Sequence, residues 1–286
     1  MARLFVVSTP IGNLGDITVR AIEILRTVAR VLSEDTRRTG ILFRRYGIET
    51  PRYSAHAHNE EARAKQVLSW LDRGEDVALV SDAGTPLLSD PGARLVRAVL
   101  DGGHEVVPVP GASALLAALV TSGLEPEPFT FYGFLPRTGA ERKRILAAAA
   151  RARSTSVFYE APGRVHRLLT DLATHCEPDR TLAIARELTK LHETVYRGTL
   201  SEAVAYYAAA RIRGEVVLVL SGAAAEGQSA GEPADPEDAA RMMRRLLQAG
   251  WKPSAAAREV ARSHSMGRSE AYRLALGQAG TGSRKE

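Results

Sequence analysis

Three short turns carry the residues best able to hold a ligand. They are Pro10-Ile11-Gly12-Asn13, Asp82-Ala83-Gly84-Thr85-Pro86 and Pro110-Gly111-Ala112-Ser113-Ala114, and each follows a short run of strand-forming residues. Glycine lets a backbone approach a ligand closely, and a helix starting just beyond such a turn offers free N–H groups. One turn of this kind is ordinary punctuation between a strand and a helix. Three of them, with the second continuing as VSDAGTPLLSDPG, read as one ligand site. The phosphate-binding pattern G-x-x-x-x-G-K-[ST] is absent, and Gly12-Asn13-Leu14-Gly15 is not G-x-G-x-x-G. H-E-x-x-H and G-x-S-x-G are also absent. His56 and His58 alternate in AHAHNEE, but no third ligand stands at a suitable spacing, so a polar role is expected there and no metal site. Cys176 sits among polar residues, which argues against a nucleophile.

The elements that must position these turns alternate. Strands are expected at Leu4–Ser8, Val31–Ser33, Arg52–Ser54, Val77–Ser81 and Glu105–Val109, with helices at Thr18–Ala29, Glu60–Asp72 and Ala93–Asp101. This βαβα order implies a largely parallel sheet with helices on both faces. In such a sheet, ligands bind beyond the carboxyl ends of the strands, where the three turns lie. A second α/β unit starts after the turn-rich stretch Gly123–Pro128. Its strands are expected at Phe129–Gly133, Ser156–Glu160, Thr181–Ala185, Glu193–Arg197 and Glu215–Ser221, and its helices at Ala140–Ala152, Pro162–His175 and Ser201–Ala210. The close spacing before Glu193–Arg197 predicts antiparallel or mixed pairing. The expected domains are therefore residues 1–122 and 123–222, a linker at 223–236, and a helical module at 237–286 broken at Gly250-Trp251-Lys252-Pro253 and near Met266-Gly267.

Composition agrees with this plan. The 286 residues are 45% hydrophobic and 25% charged, enough apolar material for two cores. A single cysteine fits a reducing cytoplasm. The start, MARLFVVSTP, reads as a first strand because Pro10 cuts its apolar run short. The longest apolar stretch, Ala112 to Val120, is far below a membrane span, so no membrane partner is expected. Charge is uneven. Ten Lys/Arg against three Asp/Glu run from Arg241 to Glu286, behind an all-acidic segment from Ala223 to Ala240. A basic tail of this kind suits a polyanion such as nucleic acid, and equally a solvated surface.

The strings STPIGNLGDIT, SEDTRRTG, VSDAGTPLLSDPG, VPVPGASA, YGFLPR, FYEAPGR, ARELTK and RGE follow in order between Leu4 and Ser221. Together they resemble the bacterial 16S ribosomal RNA cytidine 2′-O-ribose methyltransferases. That family has the tetrapyrrole-methylase fold of the class III S-adenosylmethionine methyltransferases, shared with cobalt-precorrin methyltransferases and diphthine synthase. The resemblance implies two α/β domains plus a small C-terminal helical module, a homodimer, and a folded S-adenosylmethionine in the cleft between the domains. Carried over by position, Pro10 and Ile11 would border the cofactor. Gly84, Thr85 and Leu88 would line it from the long loop, Ser113 and Ala114 from the third turn, and Tyr159, Ala185 and Glu215 from the second domain. The acceptor would be a cytidine in the decoding region of 16S rRNA, within the 30S subunit.

Transfer to a ribose hydroxyl is an in-line displacement that profits from a base. The candidates are Asp35, Glu160, Glu187 and Lys190, the last needing a depressed pKa, which burial beside Arg186 would provide. The alternative for these charges is interdomain salt bridges or, for the cationic Lys190, contact with rRNA phosphate. RNA contact is expected at Arg37-Arg38 with Arg44-Arg45, at Arg137 with Arg142-Lys143-Arg144, at Arg164 with Arg167, and in the C-terminal module. Two other readings share the fold: a tetrapyrrole-type small-molecule methyltransferase and a non-catalytic RNA-binding relative.

Overall fold

The computed structural model describes residues 2–56, 59–209, 212–224, 236–263 and 271–273. It divides into one compact unit through Ala223 and a second from Ala224 onward.

The first unit holds two sheets. Strands β1 (Arg3–Val7), β2 (Arg30–Ser33), β3 (Arg52–Ser54), β4 (Val77–Val80) and β5 (Glu105–Val109) form the first, in the order β3-β2-β4-β1-β5 with every pair parallel. All four residues of β4, Val-Ala-Leu-Val, are buried, as the central strand of a sheet covered on both faces requires. Helices α1 (Val19–Thr27) and α2 (Thr36–Tyr46) cover one face with Ala21, Leu25, Leu42 and Phe43. Helices α3 (Glu60–Asp72) and α4 (Ala93–Asp101) cover the other with Val67, Trp70, Leu95 and Val99.

Sequence periodicity does not predict α2, because four arginines flank its short apolar stretch. Its signals are local. Asp35 caps it by accepting the Arg37 N–H, and Gly47 ends it in the left-handed region at φ 59°. Helix α5 (Ala114–Thr121), the apolar stretch noted above, is also an addition to the expected helices; the Ser113 hydroxyl caps it.

The second sheet contains β6 (Phe129–Phe134), β7 (Thr155–Glu160), β8 (Thr181–Arg186), β9 (Thr194–Thr199) and β10 (Val216–Leu220), in the order β6-β7-β10-β8-β9. Only β6 and β7 are parallel, so pairing is mixed. Alternation along its strands divides two faces. Phe158, Leu182, Ile184, Leu218 and Leu220 pack beneath α6 (Ala140–Arg151), α7 (Val165–Ala173) and α8 (Leu200–Ala208). Val157, Ala183, Ala185, Val217 and Val219 meet Leu115, Ala118 and Leu119 of α5. Helix α5 therefore joins the two sheets, and the division expected after residue 122 falls between α5 and β6.

In the second unit, α9 (Pro236–Gln248) and α10 (Pro253–Ser263) pack around Ala239, Met243, Ala257 and Val260, with Ala271 against them. Gly250, at φ 83°, turns the chain between them. Linker residues 225–235, the break expected at Met266-Gly267 and the tail beyond Arg273 lie outside the described residues. No helix among the described residues is long and apolar enough to cross a membrane.

Candidate functional site

Strand order creates the site. Strand β1 leads to β2 on one side, and β4 crosses over β1 to reach β5, so the ends of β1, β4 and β5 meet where the winding reverses. The turns after these strands lock together. Thr9 and Gly84 exchange both backbone hydrogen bonds, at 2.9 and 3.0 Å. The Thr9 hydroxyl donates to the Ser81 carbonyl at 3.1 Å, and the Ser8 hydroxyl to Thr85 Oγ1 at 3.2 Å. Gly84 has φ 78°, and a Cβ there would stand 3.3 Å from Ile11 Cγ2, so the close approach of the first two turns depends on glycine.

These turns and the facing strands of the second sheet enclose a cavity of about 390 Å³, within the range of small-molecule sites, roughly 300–1,000 Å³. Ile11, Gly84, Thr85, Leu88, Ser113, Ala114, Tyr159, Ala185 and Glu215 all line it. Pro10 does not; it stands one residue back along the first turn. Tyr159 reaches across to α5, where its hydroxyl accepts the Leu115 N–H at 3.1 Å. Burial raises the Tyr159 phenol above its ordinary value.

The four candidate bases are placed very differently. Asp35 is spent on structure. It caps α2 and binds the Arg37 guanidinium, which together hold its carboxyl at about 2. Lys190 does not meet the condition for a base. Burial pulls its pKa down, but hydrogen bonds to Glu187 Oε1 at 2.9 Å and Glu215 Oε2 at 3.0 Å outweigh it, and the net shift is upward. Glu187 lies below its ordinary value because Lys190 and the Glu215 N–H both donate to it. Asp35, Glu187 and Lys190 are not part of the cavity lining, whereas Glu160 is. The Glu160 side chain is fully buried, with Oε1 taking the Ala161 N–H at 2.9 Å and the Arg164 guanidinium at 2.5 Å.

Three acidic residues not named among the candidate site residues also line the cavity: Glu34, Asp82 and Asp90. Asp82 is engaged, accepting the Asp35 N–H at 2.9 Å and pairing with Arg38 at 3.3 Å. Burial, followed by the charge of Asp82, raises Glu34. Burial, then the charge of Glu34, pushes Asp90 up to about 6. Nothing in the spacing of these carboxylates shows that β2 and β4 are neighbours. The available signal is their position inside the motifs SEDTRRTG (Glu34) and VSDAGTPLLSDPG (Asp82 and Asp90).

One expected RNA contact needs correction. Arg142 is buried, its Nε donating to Asp171 Oδ2 at 2.8 Å within an ion pair and its Nη1 to the Pro136 carbonyl at 3.0 Å, so it holds α6 to α7 and cannot meet a phosphate. Arg37, Arg44, Arg45, Arg137, Lys143 and Arg144 are exposed, as is much of Arg167. Arg164 is tied to Glu160. His58 lies outside the described residues, and the His56 N–H donates to Asn59 Oδ1 at 2.9 Å.

Known proteins resemble this chain throughout. The model of the tetrapyrrole (corrin/porphyrin) methylases matches residues 3–204. Ribosomal RNA small subunit methyltransferase I of Synechocystis sp. is 44% identical, over 96% of this chain and 98% of its own length. The protein of the same name from Xylella fastidiosa is 50% identical over 77% of this chain and 82% of its own. Among solved structures, the methyltransferase CobJ aligns with a TM-score of 0.61 at 21% identity, covering 78% of this chain and 95% of that one. A uroporphyrin-III C-methyltransferase from Thermus thermophilus aligns with a TM-score of 0.57 at 22% identity, covering 77% and 97%.

Proposed function

Because the chain belongs to the tetrapyrrole methylase family, and within it to the ribosomal RNA small subunit methyltransferase I proteins, we propose that it methylates the ribose 2′-hydroxyl of a cytidine in the decoding region of 16S rRNA, with S-adenosylmethionine as donor and the 30S subunit as substrate. The observation that carries this reading is the cavity at the reversal of the first sheet, walled by the turns after β1, β4 and β5 and by the second sheet.

The residues present fit the cofactor. Bare backbone at Gly84, small side chains at Ser113, Ala114 and Ala185, and apolar ones at Ile11 and Leu188 suit a folded nucleoside. Glu34, Asp82, Asp90 and Glu215 surround the space with negative charge, which favours a cationic ligand. When bound, S-adenosylmethionine supplies an electrophilic methyl group on a sulfonium centre. In this reading Ile11 borders the cofactor with Pro10 shaping the turn behind it, Gly84, Thr85, Leu88, Ser113 and Ala114 hold it mainly through backbone, and Tyr159, Ala185 and Glu215 close the site from the second sheet. Reaction at sulfonium discharges a cation, so no oxyanion hole is required. Holding the acceptor oxygen in line with the methyl carbon supplies much of the barrier reduction, roughly 7–11 kcal/mol for well-oriented reactants.

Exposed Arg37, Arg44, Arg45, Arg137, Lys143 and Arg144 would guide the RNA backbone to this cavity, a contact weakened by salt. We also propose a cytoplasmic homodimer. Exposed Leu116 and Val120 on α5 are apolar surface that a partner would cover, and light scattering tests the dimer.

The deciding experiment incubates the protein with methyl-labelled cofactor and 30S subunits lacking the modification, then maps the label. One 2′-O-methylated cytidine is the expected product. Label on a base carbon, or on a tetrapyrrole and no RNA, would overturn the assignment.

A further inference from the structure

We propose that Asp90 is the general base of the transfer, accepting the proton of the acceptor 2′-hydroxyl; this rests on the proposed ribose methylation and gives it a residue. The argument begins with strand order. The turns assigned to the cofactor follow β1, β5 and the near end of the loop after β4, which is zipped to β1 through Thr9 and Gly84. Glu34 follows β2, on the other side of β4 from β1, and Asp82 starts the loop after β4 beside it. Asp90, at the far end of the long loop, lines the same cavity. An acceptor hydroxyl reaching the methyl group therefore enters among these carboxylates.

Elimination singles out Asp90. Both Asp82 oxygens are engaged, one by the Asp35 N–H and one by Arg38. Glu160 is fully buried and tied to Arg164. Glu215 and Glu187 share Lys190. Glu34 and Asp90 remain, and of the two it is Asp90 whose charge acts on Tyr159 of the second sheet.

The segment carrying Asp90 is held rigidly. Leu87 and Ser89 are non-glycine residues in the left-handed region, at φ 74° and 67°, strain of a kind that surrounding structure must impose. Ser89 Oγ approaches β6 so closely that a Cβ on Gly133 would lie 2.8 Å from it. Glu60 Oε1 accepts the Gly92, Arg94 and Leu95 N–H groups at 3.1, 2.9 and 3.2 Å. The groups that face Asp90 are Glu34 from the end of β2, Ser81 and Asp82 from the end of β4, and Tyr159 from β7, with Arg38 and His56 acting on Glu34. Burial and the two neighbouring carboxylates leave Asp90 titrating at about 6, so it is ionised at neutral pH yet more basic than an ordinary aspartate. As the ribose oxygen bonds to the methyl carbon and the carbon–sulfur electron pair returns to sulfur, the hydroxyl proton passes to the Asp90 carboxylate and leaves later to water.

The test combines single-turnover methylation of unmodified 30S subunits with carboxyl titration of the free protein, labelled with ¹³C at aspartate and followed by NMR. In the wild type the rate should fall tenfold per pH unit below about 6, and one aspartate carboxyl should titrate there. Asp90→Asn should remove that resonance and the acid limb and slow transfer at saturating cofactor on the order of 10²–10⁴-fold, with any loss of cofactor affinity read separately by calorimetry. Glu34→Gln should move both the limb and the resonance to lower pH. Asp90→Asn transferring at the wild-type rate, or keeping the acid limb, would overturn the base role alone. So would an Asp90 carboxyl titrating near the ordinary value of about 3.9. Wild-type protein that labels no 30S subunits would overturn the proposed function and the base role together.

Discussion

Lys190 binds two carboxylates at once, Glu187 at 2.9 Å and Glu215 at 3.0 Å, and both keep its proton on. A lysine between two acids is a clamp, and Glu215 carries that clamp to the cavity wall. Lys190→Met should weaken cofactor binding by roughly tenfold, the scale of one lost hydrogen bond to a charged group. Its saturated single-turnover rate should stay close to the wild type. Calorimetry and quench-flow separate the two, and intact affinity with a collapsed rate would restore the amine as a base. Asp90 makes the opposite case. Its folded value, about 6, lies above the unfolded value, so stability falls as pH rises from about 4 to 6 and the penalty is complete above that window. Asp90→Asn, which cannot ionise, should match the wild-type Tm near pH 4 and exceed it near pH 8. Equal melting at both pH values would show that Asp90 is not held in a desolvated place.

At the scale of elements, α5 does two jobs. Its first residues, beyond the Ser113 cap, border the cavity, and Leu115, Ala118 and Leu119 bind it to the second sheet. Leu119→Ala should destabilise the protein by about 2–5 kcal/mol, the usual cost of a buried leucine truncation. It should also weaken cofactor binding, because the third turn loses its backing. Urea unfolding and calorimetry on the same preparation check both. The helices that periodicity missed show why pattern alone is incomplete. Helix α2 is marked by its cap, Asp35, and its terminator, Gly47, while its arginines obscure the apolar face. Helix α5 has no amphipathic pattern to read, because its residues are nearly all apolar while Leu116 and Val120 remain exposed.

For the whole molecule, charge is the guide to the partner. The region from Arg241 to Glu286 is strongly basic, and among its described residues α9 and α10 build a small core of their own. Deleting Glu237–Glu286 should weaken binding to 30S subunits and flatten its dependence on salt, since fewer phosphates would be neutralised. Filter binding at several salt concentrations tests this, and an unchanged slope would free the module from RNA contact.

Sequence by itself determined a good deal. Among the described residues, short runs of strand formers bounded by turns located all ten strands of the two sheets, and helical spacing six of the eight α-helices of the α/β unit, because such runs and spacings record what each element buries. The motifs VSDAGTPLLSDPG and VPVPGASA located the turns that line the cavity, because only small residues let backbone approach a ligand. Tertiary structure decided the chemistry of the charged groups. Lys190 keeps its proton because Glu215 arrives from 25 residues away to join Glu187, and Asp90 is raised because Glu34 arrives from the end of β2. Asp35 and Glu160 bind close sequence neighbours, Arg37 and Arg164, but only the folded backbone shows that they do. Arg142 shows the same limit: its place in the run Arg142-Lys143-Arg144 matched an exposed basic patch, and only the packing of α6 on α7 turned it inward to Asp171.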